Sequence, residues 1–389
     1  MVPCIYLDNG ATSFPKPEEV YSFMDSFYRT RGVNPGRSGY DLCLEAGETL
    51  EQTRSLLCRF FGGKDPNRLI FSYNSTDALN LAIFGLVKPG SHAITTTVEH
   101  NSVLRPLHHL HLEKGVTVDH VPFDGKGFVD PEEFRRRMRP DTSLVVVNYG
   151  SNVIGTVQPI AEIGALCRER GIPFLIDASQ TAGKVPIDVE AMNIDVVAFT
   201  GHKSLLGPTG IGGLYVREGI EVSRTRAGGT GVDSALRTHL DKYPYRLEYG
   251  TPNLLGIAGL NAGVKWLEKR GLEELYRHEM HLTTMLRDGL KEIPGVILYC
   301  QEDLKNHISV LIFNIQGMEA AEVGTFLDVD YNIACRTGLH CAPLVHEQLG
   351  TDKIHGAVRF GVGPFNTEEH IRSAVNAVKE IAQARSKRA

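Results

Sequence analysis

The sequence predicts an α/β protein, with a mostly parallel sheet in a large domain and a smaller α+β domain at the C-terminal end. Three observations carry that expectation. Short Val/Ile/Leu-rich runs alternate with helix-like stretches from about residue 68 to 216, the pattern of a sheet covered on both faces. Pro- and Gly-punctuated sequence, including Gly228-Gly-Thr-Gly and Tyr249-Gly-Thr-Pro-Asn, then fills residues 227–253, and loops of this length in a compact protein are usually functional. Beyond it, helix formers give way to two isolated apolar runs and a last amphipathic helix.

In order, residues 68–73 read as a strand and 77–87 as a helix. Residues 91–98 and 116–122 read as strands, and 143–149 as a strongly apolar one. Helical spacing returns at 160–169, followed by strands over 172–176, 194–199 and 211–216. Residues 254–293 are rich in helix formers, with a break at Lys269-Arg-Gly271. The runs 296–299 and 308–313 suit strands of the smaller domain. In the last helix Ile371, Ala374, Val375, Val378 and Ala382 recur at helical spacing, and Asn366 with Glu369 resembles a capping box.

Bulk properties exclude several function classes. The 389 residues carry 41 basic and 46 acidic side chains, a net charge of -5, so no electrostatic footprint for nucleic acid is present. No apolar stretch approaches the length of a membrane span. Met1-Val-Pro-Cys-Ile-Tyr-Leu-Asp8 has no basic region followed by a long apolar one, so no secretory signal is expected. Seven cysteines without framework spacing suit free thiols in a reducing cytoplasm. The basic residues within 385–388 read as a charged helix end.

Lys203 ends Ala198-Phe-Thr-Gly-His-Lys, and 26 residues earlier Asp177 ends Ile172-Pro-Phe-Leu-Ile-Asp. Both follow apolar runs and so fall on the carboxyl edge of an open sheet, where ligands bind. The pair supplies the two groups a pyridoxal 5'-phosphate (PLP) enzyme needs. A lysine amine forms a Schiff base with the cofactor aldehyde, and a carboxylate keeps the pyridine nitrogen protonated. In isolation a loop carboxylate and a surface lysine would look the same. Neighbouring residues add to the signal. Ser75 and Thr76 open a helix after a strand, where free N–H groups and hydroxyls bind phosphate, although Ser and Thr are also ordinary helix caps. His100, in Val98-Glu-His, can lie flat on a planar cofactor or simply face solvent. Asn152 can donate to the cofactor's phenolic oxygen or be a turn residue, and Gln180 can reach the same oxygen or the Schiff base. Gly207-Pro-Thr-Gly-Ile-Gly-Gly lacks G-x-G-x-x-G spacing and Gly201-His-Lys-Ser is not a Walker motif, so a nucleotide site fails on spacing.

Eight blocks stand in order along the chain. They are Tyr6-Leu-Asp-Asn-Gly-Ala-Thr12, Ser75-Thr-Asp-Ala-Leu-Asn80, Glu99-His100, Ser151-Asn-Val-Ile-Gly155, Asp177-Ala-Ser-Gln180, Thr200-Gly-His-Lys203, Gly250-Thr-Pro-Asn253 and Arg336-Thr-Gly-Leu-His-Cys-Ala342. Together they resemble the class V aminotransferase branch of the fold-type I PLP enzymes, and within it the cysteine desulfurases. The resemblance runs from about Tyr6 to the last helix. It implies a fold-type I PLP-dependent transferase with a large PLP-binding domain, residues 15–253, and a small domain formed by 254–389 with 1–14. It implies that Lys203 carries the cofactor, that Asp177 pairs with the pyridinium nitrogen, and that His100 stacks on the ring as a catalytic residue. Thr76, Thr200 and His202 are implied as phosphate ligands, with Ser75 beside them. Thr251 is implied to reach the cofactor of a neighbouring subunit, which makes a homodimer the expected unit. Arg359, in Ala357-Val-Arg-Phe-Gly, matches the arginine that grips the substrate carboxylate through its guanidinium fork, with Asn152 beside it.

Cys341 decides the reaction. A thiolate nucleophile needs a polar, partly exposed setting with positive charge nearby, and Arg336-Thr-Gly-Leu-His340-Cys341 offers Arg, His and a glycine-containing loop. Cys58 and Cys167 lie inside apolar helical patterns instead. A site made from Cys335, His340, Cys341 and His346 matches no usual zinc spacing, so no metal is expected, and His108, His109 and His111 read as a polar helical face. The expected reaction converts L-cysteine to L-alanine, with the sulfur held on Cys341 as a persulfide for a protein or small-thiol acceptor. A selenocysteine lyase, a cysteine sulfinate desulfinase and a class V aminotransferase with an incidental cysteine are the alternatives on the same scaffold. Against the second, short-loop group of cysteine desulfurases, which it resembles most, Leu339 stands where histidine is usual. Pro343-Leu-Val-His-Glu347 and Asn34-Pro-Gly-Arg-Ser-Gly39 also depart from the pattern.

Overall fold

The computed structural model describes residues 4–35, 39–300 and 302–386, the side chain of Ser386 excepted. Residues 1–3, residues 36–38 of the loop after Asn34, and residues 387–388 of the basic C-terminal end lie outside them.

A short strand β1 (Ile5–Tyr6) precedes helices α1 (Glu18–Arg31) and α2 (Asp41–Phe60). The alternating region follows as β2 (Leu69–Ser72), α3 (Ser75–Leu86), β3 (His92–Thr96), α4 (Asn101–Lys114), β4 (Thr117–Val121), α5 (Pro131–Arg137), β5 (Thr142–Asn148) and α6 (Ile160–Arg170). Then come β6 (Phe174–Asp177), β7 (Val196–Thr200) and β8 (Gly212–Val216), and a long loop without helix or strand up to α7 (Leu254–Arg270). The rest comprises α8 (Leu272–Lys291), β9 (Val296–Leu298), β10 (Val310–Ile315), α9 (Ala320–Tyr331), β11 (Ile333–Ala334), β12 (Arg336–Gly338), α10 (Pro343–Leu349), β13 (Ala357–Gly361) and α11 (Glu368–Ser386).

Seven strands form the large sheet in the order β2-β8-β7-β6-β5-β3-β4. All neighbouring pairs from β7 to β4 are parallel, and β8 is antiparallel to both of its neighbours. The parallel strands are apolar on both faces because both faces are covered. In β5, Val145 and Val147 enter a core shared with α2, α6 and α7, whereas Leu144 and Val146 enter one shared with α3 and α4. β6 and β7 lie side by side with Asp177 opposite Ala198. Their carboxyl ends therefore deliver Asp177 and residues 200–203 to one edge of the sheet.

A second sheet, β12-β13-β10-β9, is antiparallel, and β1 pairs in parallel with β11. Leu7 joins a separate core with Leu286 and Leu290 of α8, Phe313 of β10, Phe360 of β13 and Val378 of α11. α7, the first helix after the long loop, packs on the large sheet. Its Ile257, Leu260 and Val264 are buried in the core of the large sheet, with Phe27 of α1 and Leu57 of α2. The first turn of α8 still belongs to this core through Leu272 and Leu275, and the other core takes over from Leu282 onward.

Two helix starts also differ from the sequence expectation. α3 begins at Ser75 because the Asn74 side chain caps it, Oδ1 accepting from the Asp77 N–H at 2.9 Å. α11 is capped by Thr367, whose hydroxyl accepts from the His370 N–H at 3.3 Å. Asn366 instead ties the N-terminal segment down: its amide donates to the Tyr6 carbonyl at 3.0 Å and accepts from the Gly363 N–H at 2.8 Å.

Candidate active site

A cavity of about 230 Å3 lies at the carboxyl ends of β5, β6 and β7. From the carboxyl side of the large sheet come Ser75, Thr76, His100, Asn152, Asp177 and Gln180, and from the end of β7 and the turn after it come Thr200, His202 and Lys203. Arg336 and Arg359, paired in register on β12 and β13, line it from the second sheet. Thr251 is not part of this cavity. It is exposed on the long loop, where it borders a separate hollow of about 510 Å3 with Phe71 and Tyr249. Cys341 stands just beyond the lining, against Arg336.

Four atoms on the lining residues are buried without a hydrogen-bond partner: Thr200 Oγ1, His202 Nδ1, Asn152 Oδ1 and Arg359 Nε. An unpaired buried polar group costs about 1–3 kcal/mol. Four of them around one cavity fit a polar ligand: the Thr200 hydroxyl, His202 Nδ1 and Arg359 Nε can donate to anionic oxygens such as those of a phosphate or a carboxylate, whereas Asn152 Oδ1 accepts. With a buried amine and a carboxylate between them, the set fits PLP.

Asp177, at the end of β6, is almost fully buried. Its Oδ1 accepts from the Ser179 N–H at 2.9 Å, from the Ser179 hydroxyl, and from the Ser75 hydroxyl at 3.4 Å. Ser75 Oγ also lies 2.7 Å from Ser179 Oγ. The Ser75 hydroxyl thus also helps to orient Asp177 while lining the cavity. Thr76 also lines the cavity, its Oγ1 2.7 Å from Ser102 Oγ. Because Asn74 does the capping, neither hydroxyl is spent on the helix end.

His100 precedes α4 and caps it, Nδ1 accepting from the Ser102 N–H at 3.1 Å, so the neutral ring carries its proton on Nε2. Burial, and then the Lys203 charge, push its pKa down to about 4. Burial with Lys203 and Lys16 does the same to His202, also to about 4. Burial lowers the Lys203 amine to about 8, against the opposing pull of Asp177 and with help from Arg359 and Arg336. A buried amine between cations is a better nucleophile and base at neutral pH than an exposed one.

Gln180 donates to the Gly10 carbonyl at 2.8 Å and Asn152 to the His340 carbonyl at 2.7 Å. Arg359, 1% exposed, donates from Nη1 to the Asn152 carbonyl at 3.0 Å and from Nη2 to Asp8 Oδ1 at 2.7 Å. A Cβ at Gly10 would lie 3.1 Å from Arg359 Cζ, so a glycine is what lets the turn after β1 pass over the guanidinium. Asp8, Ser102 and Ser179 were not singled out from the sequence. Asp8 and Ser179 sit inside blocks that were; Ser179 stands two residues after Asp177, whereas the partner of Asp8, Arg359, is 351 residues away.

Cys341 sits on a turn between β12 and α10. His340 and Cys341 both have positive φ, 50° and 58°, a conformation that costs non-glycine residues about 1–2 kcal/mol each. The Cys341 carbonyl accepts from the Asn101 N–H at the start of α4, at 2.7 Å. Arg336 Nη2 donates to Cys341 Sγ at 3.2 Å, so the expected positive charge is present. His340 does not add to it. That ring is buried, held neutral by burial and by the Arg359 charge, and bonded to His346 and the Arg336 carbonyl. Burial raises Cys58 to about 11 and Cys167 further still, which makes both poor nucleophiles. No group of three or more His, Cys, Asp or Glu side chains placed to hold a metal occurs among the described residues.

Comparison with known proteins agrees with this geometry. The family model for aminotransferase class-V matches residues 5–373. The chain is 32% identical over 383 residues to a probable cysteine desulfurase of Methanothermobacter thermautotrophicus, covering 97% of this chain and 94% of the relative. It is 32% identical to a cysteine desulfurase of Shigella flexneri, covering 98% of this chain and 94% of that one. Among solved structures, the apo cysteine desulfurase from Thermococcus onnurineus superposes with a TM-score of 0.92 at 34% identity, over 98% of this chain and 95% of the other. The chain belongs to the class V aminotransferase family and, within it, to the cysteine desulfurases.

Proposed function

We propose that the protein is a homodimeric, PLP-dependent enzyme that converts L-cysteine to L-alanine and collects the sulfur on Cys341. One observation carries the reading: a cysteine on a left-handed turn touches Arg336, and Arg336 lines the same cavity as Lys203, Asp177 and Arg359. When bound, PLP supplies an aldehyde for amines and an electron sink for charge developing at the substrate Cα.

Lys203 would hold the cofactor through Nζ, and the same amine, once free, would take the Cα proton. An amine near pKa 8 is partly neutral at working pH and suits that exchange. Asp177, oriented by Ser75 and Ser179, keeps a proton on the pyridine nitrogen. His100, neutral and fixed by Ser102, would pack against the cofactor ring. Thr76, Thr200 and His202 hold the phosphate with the free N–H groups of the α3 N-terminus. Gln180 serves the phenolic oxygen. Thr251, exposed and remote from its own subunit's cavity, serves a partner's. Arg359, with Asn152, grips the substrate carboxylate. The Cys341 thiolate then bonds to the substrate sulfur as the Cβ–S bond breaks, leaving its electron pair on the carbon side. Protonation at Cβ completes the methyl group, Lys203 returns a proton to Cα to give L-alanine, and the persulfide passes to a protein or small-thiol acceptor. A cytoplasmic setting is supported by cysteines that form no disulfide, and no helix of the described residues is long and apolar enough to cross a membrane.

The deciding experiment is Cys341→Ala. The variant should keep PLP and its absorbance yet release no alanine from L-cysteine, while wild-type protein treated with cysteine shows one extra sulfur on the Cys341 peptide by mass spectrometry. Wild-type turnover by the variant, with no persulfide and a dependence on an added 2-oxo acid, would make the protein an aminotransferase with an incidental cysteine.

A further inference from the structure

A chain of polar groups runs into the Cys341 turn from behind. Thr351 Oγ1 lies 2.8 Å from His346 Nδ1, His346 Nε2 lies 3.3 Å from His340 Nδ1, and His340 Nε2 lies 3.4 Å from the Arg336 carbonyl. The two rings stack with centroids 5.4 Å apart and planes 30° apart. Thr351, His346 and His340 are all buried.

The chemistry of the groups sets one direction along this chain. A carbonyl only accepts, so His340 carries its proton on Nε2, and a neutral ring then accepts at Nδ1. His346 must therefore donate through Nε2 and accept at Nδ1, which makes the Thr351 hydroxyl the donor to it. The hydroxyl's other contact, the His346 carbonyl, is longer at 3.4 Å. Burial disfavours the cation on both rings and supports the neutral assignment.

The reaction uses neither His346 nor Thr351, yet the chain ends on the two residues the turn depends on. His340 is the first of the two left-handed residues. Arg336 carries the guanidinium that donates to the Cys341 sulfur. We propose that His346 is a positioning residue for Cys341: oriented by Thr351, it pins the His340 ring to the Arg336 backbone and so keeps the Cys341 thiol against the Arg336 guanidinium. The inference rests on the reading of Cys341 as the sulfur-accepting nucleophile. His346 belongs to Pro343-Leu-Val-His-Glu347, the segment that departs from the related pattern, so the brace is one the resemblance does not supply.

The test compares His346→Leu, His346→Gln and Thr351→Val with the wild-type holoenzyme. Glutamine places an amide donor where the ring Nε2 stood and is the conservative variant. The first readout is the rate of Cys341 alkylation by iodoacetamide, followed by peptide mapping and independent of turnover. His346→Leu is expected to slow alkylation and to lower kcat for L-cysteine by about tenfold each, with KM changed by less than about twofold because Arg359 is untouched. His346→Gln recovers most of both losses, and Thr351→Val, one step further away, loses about threefold. Wild-type alkylation in His346→Leu overturns the proposal, as does an alkylation loss that glutamine fails to relieve. If His346→Leu does not fold, wild-type alkylation in Thr351→Val overturns it. Full cysteine turnover by Cys341→Ala sinks instead the reading on which the proposal rests, whatever the alkylation rates.

Discussion

Lys203 and Asp177 stand at the ends of adjacent parallel strands, whereas Cys341 stands on a left-handed turn between a three-residue strand and a short helix. The two regions differ in how their polar groups are used. Around Lys203, Thr200, His202 and Asn152 each leave a buried polar atom without a partner. Around Cys341 the groups are spent on each other: Asn101 and Asn152 hold the backbone carbonyls, and His346 holds the His340 ring. A site that receives a large preformed ligand needs open polar groups on rigid strands. A site that presents one sulfur needs its loop held and only that atom free. The strand-borne half therefore depends on single residues, and the turn-borne half on a network.

The sharpest break of this comparison is Lys203→Ala. It should abolish the covalent cofactor absorbance and lower turnover by about 10^4-fold, as loss of both the attachment point and the proton carrier implies. The same variant tests the amine's environment. In cofactor-free protein the folded pKa is about 8 against the usual 10.5, so between those values the unfolded chain binds the proton more tightly. Stability should therefore rise with pH across that window through Lys203, and the rise should shrink in Lys203→Ala when followed by chemical denaturation. A pH dependence identical in the two proteins would show the amine to be unperturbed.

Next in size is Asp177→Asn. The amide keeps the shape but cannot hold a charge on the pyridine nitrogen, so kcat should drop by about 10²–10³-fold with cofactor still bound. Near-wild-type kcat would remove Asp177 from that role. The smallest effect belongs to the turn-borne half. Gly356 has φ 99°, and a Cβ there would lie 2.2 Å from the Gly338 carbonyl on β12. Gly356→Ala should cost about 1–3 kcal/mol of stability, and it should slow cysteine turnover without changing cofactor uptake. Loss of cofactor with turnover per bound cofactor unchanged would show that the two halves are not separable in this way.

The large sheet was legible because its strands are short apolar runs with both faces buried, as in Val145–Val146–Val147 of β5, and such runs announce themselves without context. The site residues at strand ends followed from that. Harder to read were α1 and α2, whose buried faces are interleaved with charge; what they pack against, α7, comes roughly two hundred residues later in the chain. The packing of α7 on α1 and α2 was hidden for the same reason, since α7 looks like any helix until its partners are known. His340 was expected to lend charge to Cys341. A sequence cannot say that a histidine beside a cysteine turns its ring into the interior.

The amino-acid sequence alone thus determined the periodicity, the strand-end placement of Asp177 and Lys203, and the family, because these are properties of neighbours along the chain. Only the tertiary structure decided which polar groups find partners. Ser75 is drawn to Asp177, and Asn366 is drawn from its expected cap to the N-terminal segment. Arg359 is held between Asp8 and Asn152, and Cys341 meets Arg336 while His340 is sealed against His346. The physical reason is that a hydrogen bond is won by whichever group lies within about 3 Å in the folded state, and folding brings those groups together from opposite ends of the chain.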